Sequence, residues 1–136
     1  QTTVNVFELF QTVFSGGNLK LNPPFVPGQA VADFVLLPNG TGVVYRADQT
    51  TNGVNEIYRA LFGFPGTVRL NPALVIGQNV STYTVSPDSA SAIYRANQDN
   101  VAITELFRAA FSSPGASTKL SASLVAGQNV TDFAVR

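Results

Sequence analysis

Residues 21–31 return twice along the chain, as 70–80 and as 120–130, at steps of 49 and 50 residues. Each copy ends Val-x-Gly-Gln-x-Val, so Gly28, Gly77 and Gly127 mark one recurring turn. The aromatics Phe34, Tyr83 and Phe133 keep nearly the same step. So do Pro38 and Pro87, the triplets Tyr45-Arg46-Ala47 and Tyr94-Arg95-Ala96, and the acids Glu8, Glu56 and Glu105. A period of this length marks a repeat architecture, in which each unit buries its apolar faces against its neighbours. The chain reads as just under three copies of one unit of about 49 residues.

Within each copy apolar residues alternate, with Gly, Pro, Asn and Asp at the breaks, the pattern of short strands joined by turns. Four strands are expected per unit. The first is 80–85, the second 92–96 (43–47 one copy earlier), the third 56–62 (105–111 one copy later) and the fourth 68–70. Segments 4–14 and 104–111 also place apolar residues at helical spacing. Their β-branched and aromatic content favours strands instead, as do the hairpin pairs Gly16-Gly17, Pro65-Gly66 and Pro114-Gly115. The expected fold is all-β, built from four-stranded antiparallel sheets of β-propeller-blade type, whose repeats run about 40 to 50 residues. A solenoid of hairpins is the competing arrangement. Residues 1–30 are expected to hold the third and fourth strands of a blade, 31–79 and 80–129 complete repeats, and 130–136 the first strand of a further blade.

Eight basic and eight acidic residues cancel, and 12% of the chain is charged. Nucleic acid is a poor partner for such a chain, because phosphate binding needs clustered Lys and Arg. The sequence has no Cys and no His. Disulfides, thiolate zinc sites, cysteine nucleophiles and the commonest general base are therefore excluded. Apolar runs are strand-sized, so no membrane insertion is expected. The chain opens on Gln1 rather than Met, which fits removal of a leader or an excerpt from something longer.

Tyr83-Thr84-Val85-Ser86-Pro87-Asp88 followed by Ile93-Tyr94-Arg95 resembles the TolB-like family of bacterial propellers, whose blades carry an aromatic-x-x-Ser-Pro-Asp-Gly turn before an aliphatic-x-Tyr strand. Phe34 to Gly40 and Val44-Tyr45 are a looser copy, and Ser89 stands where the family has Gly. The resemblance covers nearly the whole chain and speaks to fold rather than activity. It implies a secreted or periplasmic protein that binds other macromolecules.

Asp48, Thr50 and Asn52, followed by Gly53, place oxygens at alternate positions as at the start of a calcium loop, but Arg59 stands where the bidentate Glu belongs. A polar hairpin loop is the other reading. Glu56 and Glu105 occupy one place in successive repeats, so each is expected to serve its own blade, in an exposed cross-strand ion pair with Arg46 and Arg95 respectively. Ser86 is no nucleophile elbow, since Gly-x-Ser-x-Gly and His are both missing. Asn39, Asn79 and Asn129 head glycosylation sequons that matter only in a glycosylating pathway. The Tyr and Phe residues are expected in the core between blades. No catalytic group and no cofactor emerge.

Propellers close with about four to eight blades, so material for fewer than three needs a neighbour. The expected protein is a non-catalytic, extracytoplasmic module of assembly and protein binding. Its partners are other copies, joined by strand addition into a ring or a filament, or the remainder of a longer propeller. A gating propeller of a larger secreted hydrolase and a lectin-like module are the alternatives.

Overall fold

The computed structural model describes residues 6–136, and among them the protein is all-β with no helix. β1 (Phe10–Val13) and β2 (Gly17–Lys20) form a two-stranded sheet. A first four-stranded sheet runs in chain order through β3 (Val31–Leu36), β4 (Gly42–Ala47), β5 (Glu56–Leu61) and β6 (Thr67–Arg69). A second repeats that order with β7 (Val80–Val85), β8 (Ser91–Asn100), β9 (Ile103–Ala110) and β10 (Thr118–Lys119). Every pairing is antiparallel. Segment 104–111, which also read as a helix, lies almost wholly in β9, and segment 4–14 is strand over Phe10–Val13. Its residues 4 and 5 lie outside the described part. Among the described residues no strand pairs with 130–136, which form no ladder.

The turns between paired strands follow from local chemistry. Pro38 sits one residue before Asn39 in a turn closed by the Gly40 N–H on the Leu37 carbonyl at 2.8 Å, and Gly40 takes φ 71°. In the matching turn the Ser89 N–H donates to the Ser86 carbonyl at 2.9 Å, and Ser89 holds φ 56° where glycine would be unstrained. The Asp88 carboxylate offsets that strain by accepting from the Ser86 hydroxyl (2.5 Å) and the Ala90 N–H (3.0 Å). These bonds, the Ser86 hydroxyl first, hold its carboxyl below the ordinary range.

Strand alternation sorts β4 into two faces. Val43, Tyr45 and Ala47 pack with Leu9, Leu21 and Tyr58 in a core shared with the β1-β2 layer. Val44 turns the other way and joins Ile57, Val80, Tyr94 and Phe107 between the two large sheets. Tyr45 stacks on Tyr58 with centroids 5.6 Å apart, and Tyr94 on Phe107 at 5.5 Å. Each stack contributes about 0.5–1.5 kcal/mol beyond its buried area.

The expectation that all aromatics are core fails for five phenylalanines. Phe7, Phe10, Phe14, Phe34 and Phe64 are exposed. Phe10 and Phe34 stand at the repeat positions of Tyr58 and Tyr83 but, among the described residues, have no strand over them, so the apolar pattern is the same and the burial is not.

Candidate functional site

Each layer repeats one glutamate, Glu8, Glu56 or Glu105, paired with a base near the start of the next repeat; Lys119 also bonds Asp99 at 2.7 Å. Glu56 is 1% exposed, and its Oε2 accepts from the Tyr58 hydroxyl at 2.7 Å. Its Oε1 accepts from the Leu74 N–H at 3.0 Å and from Asn71 Nδ2 at 3.5 Å, with Arg69 Nη1 at 3.7 Å. Glu105 takes both of its oxygens to Lys119 Nζ at 2.9 Å, and Glu8 bonds Lys20 at 2.6 Å.

The exposed ion pairs expected between Glu56 and Arg46, and between Glu105 and Arg95, do not form. The register explains why. Glu56 lies opposite Ala47 while Arg46 lies opposite Ile57, and Glu105 lies opposite Ala96 while Arg95 lies opposite Leu106. Neighbouring register positions point to opposite faces of a sheet, so each acid and arginine are separated by the sheet itself. The true partners were legible as a recurrence that the sequence reading missed: Lys20, Arg69 and Lys119 each precede the leucine that opens a repeat.

Arg46 instead joins the two large sheets, and Arg95 ties the second sheet to the segment 130–131. Arg46 Nη1 donates to the carbonyls of Val80 (3.2 Å) and Ser81 (2.6 Å) in the next sheet, and Nη2 to Asp33 Oδ2 at 2.6 Å. Arg95 donates in the same way to the carbonyls of Val130 and Thr131. In β7 the target is a β-bulge, an irregularity between Val80 and Thr82 that leaves Ser81 out of the ladder. Beside it, the Tyr83 hydroxyl donates to the Val44 carbonyl at 3.2 Å. Burial, with Asp33 nearby, pushes that phenol up.

The loop holding the calcium candidates is closed by its own bonds. Asp48 Oδ1 accepts from the Ala30 N–H (2.8 Å) and Oδ2 from the Gly53 N–H (2.9 Å). The Thr50 hydroxyl bonds that of Tyr58 at 2.7 Å, and Asn52 Nδ2 reaches the Pro27 carbonyl at 3.4 Å. The three side chains share no partner. Asp48 thus ties the Gly28 turn to the loop after β4. Gly28 (φ 95°), Gly77 (φ 93°) and Gly127 (φ 87°) all adopt the left-handed conformation their recurrence predicts.

The feature that stands out is a groove of about 560 Å³ between the entry to β1 and strand β3, lined by Phe7, Glu8, Leu9, Val31, Asp33 and Phe34 among others. At the junction between the two large sheets the corresponding space is filled by β4. Among the described residues β1 has one partner, β2, and its other edge is unpaired. Phe7 is 64% and Phe34 54% exposed on the groove walls. An unpaired edge beside exposed aromatic surface is a template for another strand. Among the described residues no group of three or more Asp and Glu is placed to hold a metal ion. No family model and no curated protein sequence matches the chain.

Proposed function

We propose that this chain is a non-catalytic module of a TolB-like β-propeller, working outside the cytoplasm, whose role is protein association. The chain joins other copies of itself, or further propeller blades, by strand addition at the open edge of β1. What supports the reading is the groove: free backbone donors and acceptors on β1 lie next to the exposed rings of Phe7, Phe10 and Phe34. An incoming strand gains ladder hydrogen bonds and buries those rings, at about 25 cal/mol per Å² of apolar surface covered. The meander order of both large sheets and the arginine link from one layer to the next suit side-by-side packing of blades.

Size-exclusion chromatography with light scattering, followed by negative-stain imaging, tests the proposal. Rings or filaments with a mass of several chains are expected. A monodisperse single chain at high micromolar concentration would sink self-association.

A further inference from the structure

Two arginines of this chain perform one task, and a third place is prepared for the same task without an arginine. Arg46 donates to the Val80 and Ser81 carbonyls, and Arg95 to those of Val130 and Thr131. The same bulge occurs in β3 between Val31 and Asp33, yet among the described residues no side chain donates to the carbonyl of Val31 or Ala32. These residues line the groove, whose charged lining groups are Glu8 and Asp33, with no Lys or Arg.

The rings repeat the pattern. The tyrosine that precedes each arginine stacks on the third strand, Tyr45 on Tyr58 and Tyr94 on Phe107. Phe10 is the β1 counterpart of those third-strand rings. Lys20 lies over it at 6.0 Å, as Lys119 lies over Phe107 at 5.9 Å, but among the described residues no ring stacks on it and it is 50% exposed. Phe34 likewise lacks the cover that the Val44 carbonyl gives to Tyr83.

The geometry points to one occupant for the groove: an extended segment of a partner chain with a β-branched residue, Tyr and Arg in succession. It pairs antiparallel with β1, sets its tyrosine on Phe10 and directs its guanidinium to the carbonyls of Val31 and Ala32. This inference rests on the strand-addition reading and narrows it to one side-chain chemistry. In this chain that chemistry belongs to β4 and β8, which are already paired on both edges.

The probe is a labelled peptide copying residues 40–49, Gly-Thr-Gly-Val-Val-Tyr-Arg-Ala-Asp-Gln, titrated with the full chain by fluorescence anisotropy. Saturable binding is expected. It should weaken about ten-fold or more when Arg46 of the peptide is replaced by Ala, since bonds from a charged donor are lost. Replacing its Tyr45 by Ala should weaken it about three- to ten-fold. Phe10→Ala in the protein should weaken the parent peptide and leave the Tyr45→Ala peptide unaffected. The inference is overturned by absence of saturable binding, by equal binding of the Arg46→Ala peptide, or by tighter binding of a peptide copying residues 127–136. That last result would give the groove to the tail of a second copy. Light scattering on the same samples separates this from the broader reading. A monomer that takes the peptide keeps the inference and loses self-association, and assemblies indifferent to the peptide do the reverse.

Discussion

Replacing Arg46 tests whether its bonds to the β7 bulge carbonyls hold the two large sheets together, or whether its ion pair within the first sheet carries its contribution. Its guanidinium touches three acceptors, the Val80 and Ser81 carbonyls and the Asp33 carboxylate. A hydrogen bond from a charged donor contributes about 1.5–3 kcal/mol when its acceptor is otherwise buried. Val80 is 1% exposed, whereas Ser81 is exposed and its carbonyl can recover water. The Nε–H finds no acceptor, which lowers the net gain. Arg46→Ala should therefore cost about 2–3 kcal/mol, close to 10 °C in Tm for a domain of this size. Asp33 is 46% exposed on its side chain, so Asp33→Asn removes a largely solvated pair and should cost less than about 1 kcal/mol. Arg46→Lys should fall between, because one ammonium cannot span the acceptors a fork reaches. Urea unfolding followed by circular dichroism, at one fixed protein concentration, measures all three. If Asp33→Asn costs as much as Arg46→Ala, the loss comes from the ion pair within the first sheet and the bulge carbonyls contribute little.

Glu56→Ala strands the buried Leu74 N–H and should cost about 3–5 kcal/mol, while Glu56→Gln keeps an acceptor there and should cost about 1–2 kcal/mol; equal losses in urea unfolding would contradict the bonding described. Burial pushes the Tyr45 and Tyr94 phenols up to about 12 and raises Tyr58 and Tyr83 as well. A phenol with a raised folded value stabilises the fold fully below its unfolded value of 10.0 and loses that contribution as pH climbs through the folded value. Stability should thus fall by about 1 kcal/mol per tyrosine near pH 11, and phenolate absorbance should rise together with unfolding. Ionisation near pH 10 with the circular dichroism unchanged would refute this. Millimolar calcium should leave Tm unmoved, whereas Asp48→Ala should lower it by releasing the Ala30 and Gly53 amides; a calcium shift of several degrees that Asp48→Ala abolishes would restore the loop as a metal site.

The strands were legible because repetition supplied two or three views of each one. β7 matches the expected 80–85, and the third strand starts at Glu56 as read. The fourth slips by one residue to Thr67–Arg69, and β8 runs on to Asn100 because its hairpin with β9 continues past a break in register. What the sequence hid was the direction of side chains across layers. Hairpin adjacency suggested Arg46 for Glu56, whereas the pleat places them on opposite faces and sends Arg46 to a strand 34 residues away. Exposed Phe10 and Phe34 were equally illegible, since an apolar position reads the same whether or not its covering strand is present.

Hydrogen exchange at β1 tests strand addition most directly, compared by mass spectrometry between dilute and concentrated protein. If an incoming strand pairs with this edge, the amides of Phe10–Val13 gain protection as mass by light scattering rises, and those of β5, already paired on both sides, stay unchanged. Growth in mass with β1 exchanging as fast as in the single chain would place the contact elsewhere and contradict the proposal.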